Sequence, residues 1–245
     1  MLLCADETSI SIQGKRGYVW VLCNHEEVVF LCTESREGDF LKKLLVNFHS
    51  VLVSDFYSLY DSFDCPQQKC LVHLIRDLNE DLLKQGFNEE LKSLAHDFAV
   101  LLKPMIETID RFGLKSRFLK RHNRFVGGFY RKLAKSQYKT EVAERYKKRF
   151  ENNRGTLFTF LKHDGIPWNN NNAEHAIKAL ALLRKEIGGS SNAVGISEYL
   201  VLLSILETCK CQGLDFFNFL RSGEKDIEVF AQSQHKRRRN YQLDT

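Results

Sequence analysis

Apolar and polar positions alternate from Leu2 to Ile12, and two further runs, Gly17 to Cys23 and Val28 to Thr33, are rich in β-branched and aromatic residues. That alternation and composition predict strands. The turn residues Gln13-Gly14-Lys15 and Asn24-His25 between them predict tight connections, hence an antiparallel meander. The period then becomes helical over Gly38 to Phe48, with Phe40, Leu41, Leu44, Leu45 and Phe48 on one side. The apolar run Ser50-Val-Leu-Val-Ser54 follows, a buried strand reached by a helical crossover and therefore expected parallel to the first. A short fifth strand over Lys69 to Val72 is expected before a helix from Leu74 to Gln85.

From Asn88 to about Phe160 the pattern is helical, punctuated by Pro104, Gly113 and the pair Gly127-Gly128, and Ile166-Pro167-Trp168 closes it. An asparagine run leads into a helix from Asn172 to Arg184, then come one from Ile196 to Lys210 and a short one opening at Asp215 to Leu220. Three antiparallel strands, a crossover helix, two more strands and then helices predict an α/β fold with a ribonuclease-H-like mixed five-stranded sheet. Other α/β folds share this order, so the order alone does not decide function. The expected organisation is strands and first helices over 1–85, a basic helical stretch over 86–165, further helices over 166–222, and a disordered basic tail over 223–245 that includes His235-Lys-Arg-Arg-Arg239.

Charge sharpens this picture. The net charge is +5, but residues 103–154 carry 16 Lys or Arg against 5 Asp or Glu, or +11, which leaves −6 for the remainder. Such asymmetry points to a polyanionic partner, whereas a solvated helical face mixes its signs more evenly. Phe118, Phe125, Phe129, Tyr130 and Tyr138 are interleaved with these cations; most are expected in the core, with one or two open to stack on exposed bases. The longest apolar run, Tyr199 to Leu206, falls short of the roughly 20 residues of a membrane span. No charged-then-apolar leader opens the chain, and seven cysteines without a four-ligand pattern read as reduced thiols, so a cytoplasmic location with no membrane partner is expected.

Three acids carry the candidate chemistry. Asp6 shares a strand face with Leu2, Cys4, Ile10 and Ile12, where an uncompensated carboxylate costs several kcal/mol. A bound cation would compensate it, as would solvation at an open strand end. Asp55 closes the run Ser50 to Ser54 and should emerge at the carboxyl end of a central strand, where open α/β sheets bind ligands. Were the first and fourth strands neighbours, the two aspartates would face each other across about 5 Å and would need a shared cation or proton. Glu174 falls in the first turn of a helix for which Asn172 is the expected N-cap, a position also favourable to glutamate for the helix dipole alone. Three hard oxygen ligands suit two Mg²⁺ or Mn²⁺ ions, about 4 Å apart, for in-line phosphoryl displacement.

At these residues the sequence resembles the insertion sequence 66 transposases of bacteria. The likeness rests on Cys4-Ala-Asp-Glu-Thr8 with Gly14-Lys-Arg-Gly-Tyr-Val-Trp20, on Val53-Ser-Asp-Phe-Tyr57 with Cys70-Leu-Val-His73, and on the stretch from Asn169 to Leu220. The last stretch contains Asn-Asn-Ala-Glu174, Arg184-Lys185, Gly188-Gly189, Glu207-Thr208 and Gly213-Leu-Asp215. The chain departs from the family pattern at Asn169, where an Asp is common, and at His175, where an Arg is expected. The resemblance implies that Asp6, Asp55 and Glu174 form a DDE triad for metal-dependent DNA strand cleavage and transfer, that residues 86–165 are a helical insertion between the second and third catalytic acids, and that the helices over 166–222 complete the catalytic core. It also implies an oligomer acting on transposon ends and target DNA, and an upstream recognition region that this chain lacks. Lys115, Arg117, Lys120, Arg121, Arg124, Arg131 and Lys132 in the insertion are the candidate DNA contacts, with Lys178, Arg184 and Lys185 near the third acid.

Cys70-x2-His73 admits three readings: half of a zinc site, a buried thiol beside a packed histidine, or, by the resemblance, a histidine beside the acids that contacts substrate. The last is the reading adopted, which adds His73 to the candidate catalytic residues. Two other functions fit the sequence: a truncated, non-mobile DNA-binding remnant, and a ribonuclease-H-like nuclease or resolvase.

Overall fold

The computed structural model describes residues 2–187 and 192–234, apart from the side chains of residues 183–187. The tail at 235–239 and the side chains of Arg184 and Lys185 therefore lie outside the described residues. Strand β1 (Leu2–Ile12) turns at Gln13 (φ 49°) and Gly14 (φ 79°) into β2 (Lys15–Cys23). Two consecutive positive φ values match the twist of a two-residue hairpin. The resulting antiparallel register sets Asp6 opposite Val21 and Glu7 opposite Trp20. Strand β3 (Val28–Thr33) pairs antiparallel with β2. Helix α1 (Asp39–Leu44), β4 (Val51–Ser54) and β5 (Gln67–Lys69) follow, with β4 and β5 parallel. The strand order β3-β2-β1-β4-β5 is a mixed five-stranded sheet of ribonuclease-H-like type.

The chain forms two compact units. One comprises residues 4–37 together with the chain from Asn171 onward. Here β1 to β3 are accompanied by α7 (Asn171–Ile187), α8 (Ala193–Cys211) and α9 (Phe216–Ser222). Strand β3 is a sheet edge, and α8 covers it with hydroxyls. The Val28 N–H donates to Thr208 Oγ1 at 3.0 Å, Thr208 donates back to the Val28 carbonyl at 3.2 Å, and the Phe30 N–H donates to Ser204 Oγ at 3.0 Å. Edge groups that would otherwise template aggregation are thereby used. Asp215 caps α9 by accepting the Asn218 N–H, and Cys209, Phe219 and Phe230 make a small core beneath it.

The other unit holds residues 38–170, with the first residues of β1. It contains α1, β4 and β5, then α2 (Leu71–Lys84), α3 (Glu89–Phe112), α4 (Ser116–Leu119), α5 (Asn123–Lys135) and α6 (Glu141–Asn152). Phe98, Phe129 and Phe150 meet edge-on or tilted at centroid distances of 4.8–6.2 Å and form the centre of the helical part. Phe129 and Tyr130 are thus core rings, whereas Phe125 stays 46% exposed.

Several expected boundaries move. The fifth strand is Gln67–Lys69 rather than Lys69 to Val72, and α2 begins at Leu71. The strand is polar yet buried because residues 156–160 cover it. The Lys69 N–H donates to the Thr156 carbonyl at 2.9 Å, Thr159 Oγ1 donates to the Gln67 carbonyl at 2.6 Å, and the Phe160 N–H donates to Gln68 Oε1 at 3.0 Å. Pro104 and Gly127-Gly128 punctuate nothing, since they lie inside α3 and α5. A helix-interior proline costs about 3 kcal/mol, which the buried face of α3 (Leu94, Phe98, Leu101, Leu102, Met105) outweighs. Gly113, at φ 68°, does end α3. Helix α1 stops at Leu44 because only Leu41 on it is buried.

Candidate active site and nucleic-acid interface

Asp6 and Glu7 are neighbours on β1, and strand geometry turns them to opposite faces. Glu7, only 2% exposed in its side chain, is bound by Arg36, whose Nε donates to it at 3.0 Å and whose Nη2 also contacts it. Asp6 is half-buried, and its Oδ1 accepts the Glu7 N–H at 2.9 Å. One of the two acids is therefore committed to a salt bridge, which separates it from the candidate ligand beside it. Sequence reading did not find the Glu7–Arg36 pair, because Arg36 lies beyond β3 and nothing local ties it to β1.

Asp55 follows Ser54 at the carboxyl end of β4, which lies between β1 and β5 in the strand order and is thus internal to the sheet. Its Oδ1 accepts the Tyr57 N–H at 2.9 Å, an Asx turn that starts the 3-10 segment Ser58–Ser62. Oδ2 accepts no hydrogen bond from the described residues. Beneath this strand end lies an unexpected cation. Lys69 on β5 is 1% exposed, pairs with Asp61 at 2.7 Å and donates to Ser54 Oγ at 3.4 Å. From α6, the Arg149 guanidinium lies 4.2 Å from the centroid of the Phe56 ring, one residue past Asp55, and pairs with Asp77 at 2.7 Å. The basic helical part therefore reaches the Asp55 loop within this unit.

His73 is the third residue of α2, whose N-cap is Cys70. The Cys70 thiol is fully buried and accepts the Asn170 N–H at 3.2 Å. The Leu71 N–H donates to the Trp168 carbonyl at 2.9 Å, so the start of α2 and residues 168–170 are tied together. Glu174 is in the first turn of α7 and is half-buried. That helix starts at Asn171, one residue before the expected N-cap Asn172, because the asparagine run itself enters the helix. Asp6 and Glu174 lie in one compact unit, Asp55 and His73 in the other. None of the seven cysteines is disulfide-bonded.

The candidate cations are surface groups. Lys115, Arg117, Lys120, Arg121, Arg124, Arg131, Lys132 and Lys178 are all exposed. Lys132 pairs with Asp97 at 2.6 Å, and Arg117 lies 4.6 Å from the Phe118 centroid. Among the described residues no helix is long and apolar enough to cross a membrane.

Residues 1–197 match the family described as Transposase IS66 family. The chain belongs to the IS66 transposase family. The matched span contains Asp6, Asp55, His73 and Glu174 and the whole basic helical part. Family membership sets the chain among transposases, enzymes that act on DNA. Comparison with curated proteins finds no match.

Proposed function

We propose that this IS66-family transposase uses Asp6, Asp55 and Glu174 as a DDE triad for metal-dependent DNA cleavage and strand transfer. The observation that carries the reading is Asp55. It closes an internal strand, is fixed through Oδ1 by the Tyr57 N–H, and keeps Oδ2 open toward a ligand. Three carboxylates without a full His or Cys set fit Mg²⁺ or Mn²⁺ by hardness. Two such ions, when bound, supply an activated water or 3′-hydroxyl and stabilise the leaving oxygen. The protein's part is positional: Asp6 on β1 and Asp55 at the end of β4 offer ligands from neighbouring strands, and Glu174 offers one from the first turn of α7. His73 lies beside these acids in this reading and contacts substrate phosphate or a carboxylate. The basic insertion, residues 86–165, holds DNA across phosphates, and the active form is an oligomer on transposon ends and target.

The test is Mn²⁺-dependent nicking of supercoiled plasmid by the wild type and by Asp55→Asn. Loss of nicking with an unchanged circular dichroism spectrum is expected, because the amide removes a ligand charge without changing shape. Undiminished nicking by the variant ends the two-metal reading.

A further inference from the structure

A cavity of about 360 Å³ opens between the second half of α3 and residues 121–125, within a single compact unit. Its size lies in the range of small-ligand sites. Its charge is lopsided: Arg111, Arg121 and Arg124 line it against one carboxylate, Glu107. None of these four side chains makes an ion pair with any described residue. Unpaired guanidinium groups gathered around one cavity favour an anionic ligand.

Its second property is a flat apolar wall. Phe125 lines the cavity and is 46% exposed, with the Arg124 guanidinium 4.6 Å from its centroid. A large exposed ring next to cations is an aromatic platform that no neighbour in the fold uses fully.

A third property comes from His122, which is 3% exposed. Thr108 Oγ1 donates its one proton to the Pro104 carbonyl at 2.7 Å and accepts from Arg121 Nη2 at 3.1 Å. Toward His122 Nε2, at 2.9 Å, the hydroxyl can therefore only accept, so Nε2 carries the imidazole proton. Burial, reinforced by Arg121 and Arg124, holds the ring below the usual histidine pKa and keeps it neutral. Nδ1 is then a bare acceptor, and it has no hydrogen-bond partner among the described residues. Nδ1 is covered by neighbouring atoms.

Inorganic phosphate would satisfy the cations but offers no flat face for Phe125. An apolar ligand would use Phe125 and leave the guanidinium groups unanswered. Duplex DNA presents its phosphates and, in its grooves, base edges, but its base faces stay inside the stack. A single unstacked nucleotide has all three features: a phosphate, a π face and N–H groups on the base edge. We propose that this cavity receives one unstacked nucleotide of the bound DNA, with its base on Phe125 and its phosphate on Arg111, Arg121 and Arg124. The inference rests on the reading that the chain acts on DNA, and it adds a site for strand distortion away from the three acids.

The test is equilibrium binding of the full chain, by fluorescence anisotropy, to three labelled DNAs: a fully paired duplex, the same duplex with one unpaired nucleotide, and that bulged duplex with the unpaired position abasic. The wild type should bind the base-bearing bulge about tenfold more tightly than either other DNA, the size of one base–aromatic stack. Phe125→Ala and Phe125→Leu should both bring that ratio close to one; leucine keeps apolar bulk without the flat face, and circular dichroism checks that each variant is folded. Equal wild-type affinity for the base-bearing and abasic bulges, with duplex binding intact, overturns the nucleotide site and leaves the DNA reading standing. A preference that survives in both Phe125 variants overturns the cavity assignment as well. Absence of binding to all three DNAs overturns both the site and the reading it rests on.

Discussion

Lys69 Nζ lies 2.7 Å from the Asp61 carboxylate, with the lysine side chain 1% exposed and the aspartate 58% exposed. The pair is therefore asymmetric: the cation has left water and the anion has not. Its other neighbours are Ser54 Oγ at 3.4 Å and the Tyr60 ring, whose centroid is 5.8 Å away. Removing the anion strands a buried charge, whereas removing the charge itself does not. Asp61→Asn is expected to destabilise the protein by about 1–3 kcal/mol. Lys69→Met, similar in length and apolar, should cost less, and the double variant should regain most of the Asp61→Asn loss. Urea unfolding of the three variants measures this; equal losses in both single variants would show that the pair is not what holds β5 against the end of β4.

Glu90, near the start of α3, fixes the start of α6 from outside it. Its carboxylate accepts the Lys139 N–H at 3.0 Å and the Thr140 N–H at 2.8 Å, and the Thr140 hydroxyl donates to it at 2.7 Å. These hydrogen bonds, that from the Lys139 N–H first, lower its pKa below the usual glutamate value. A depressed folded-state pKa contributes stability that is fully present above the unfolded value, about 4.3, and is lost as pH falls through the folded one. Glu90→Gln should therefore lower the Tm at pH 7, with the gap to wild type narrowing as pH drops below that value. Thermal melts from pH 7 to pH 3.5 check it, and a gap that widens on acidification would reverse the sign and refute the assignment.

The exposed cations of the helical part predict a steep salt dependence of DNA binding. Each phosphate neutralised should contribute a log–log slope near −0.9. Charge reversal at Lys120, Arg121 and Arg124 should flatten the slope by about one unit for each phosphate no longer neutralised. Binding to end-sequence and random duplex should be about equal, since phosphate contacts position DNA without reading it. An unchanged slope in the triple variant would move the DNA surface elsewhere on the molecule.

His73 separates a catalytic role from a zinc site. Metal analysis of the purified chain is expected to find no stoichiometric zinc, and His73→Ala should lower nicking far more than it lowers Tm. One tightly held zinc per chain, released by that substitution, would replace the substrate-contact reading with a structural metal.

Features of the fold that depend on short-range pattern were legible in the residues alone. Alternation and turn chemistry defined β1 to β3, including the Gln13-Gly14 hairpin, and the run Val51–Ser54 announced a buried strand ending at Asp55. First-turn placement of Glu174 followed from the helical period after the asparagines. The family likeness rested on the same local motifs, and the match over residues 1–197 agrees with it. What escaped sequence reading depends on partners far along the chain. The fifth strand was expected over Lys69 to Val72, yet Gln67, Gln68 and Lys69 form it, buried because residues 156–160 return to cover it. Pro104 and Gly127 read as breaks, yet α3 and α5 run through them because the helix faces packed around Phe98, Phe129 and Phe150 outweigh local propensity. Arg36 on Glu7, Thr208 on the edge of β3 and the cavity around His122 are equally invisible to a periodicity. The sequence by itself determined which local elements form and which acids they carry, because backbone propensity and hydrophobic period act over a few residues. Tertiary structure alone decided which polar groups are buried, paired or left open, because hydrogen bonding and desolvation depend on atoms that only folding brings near.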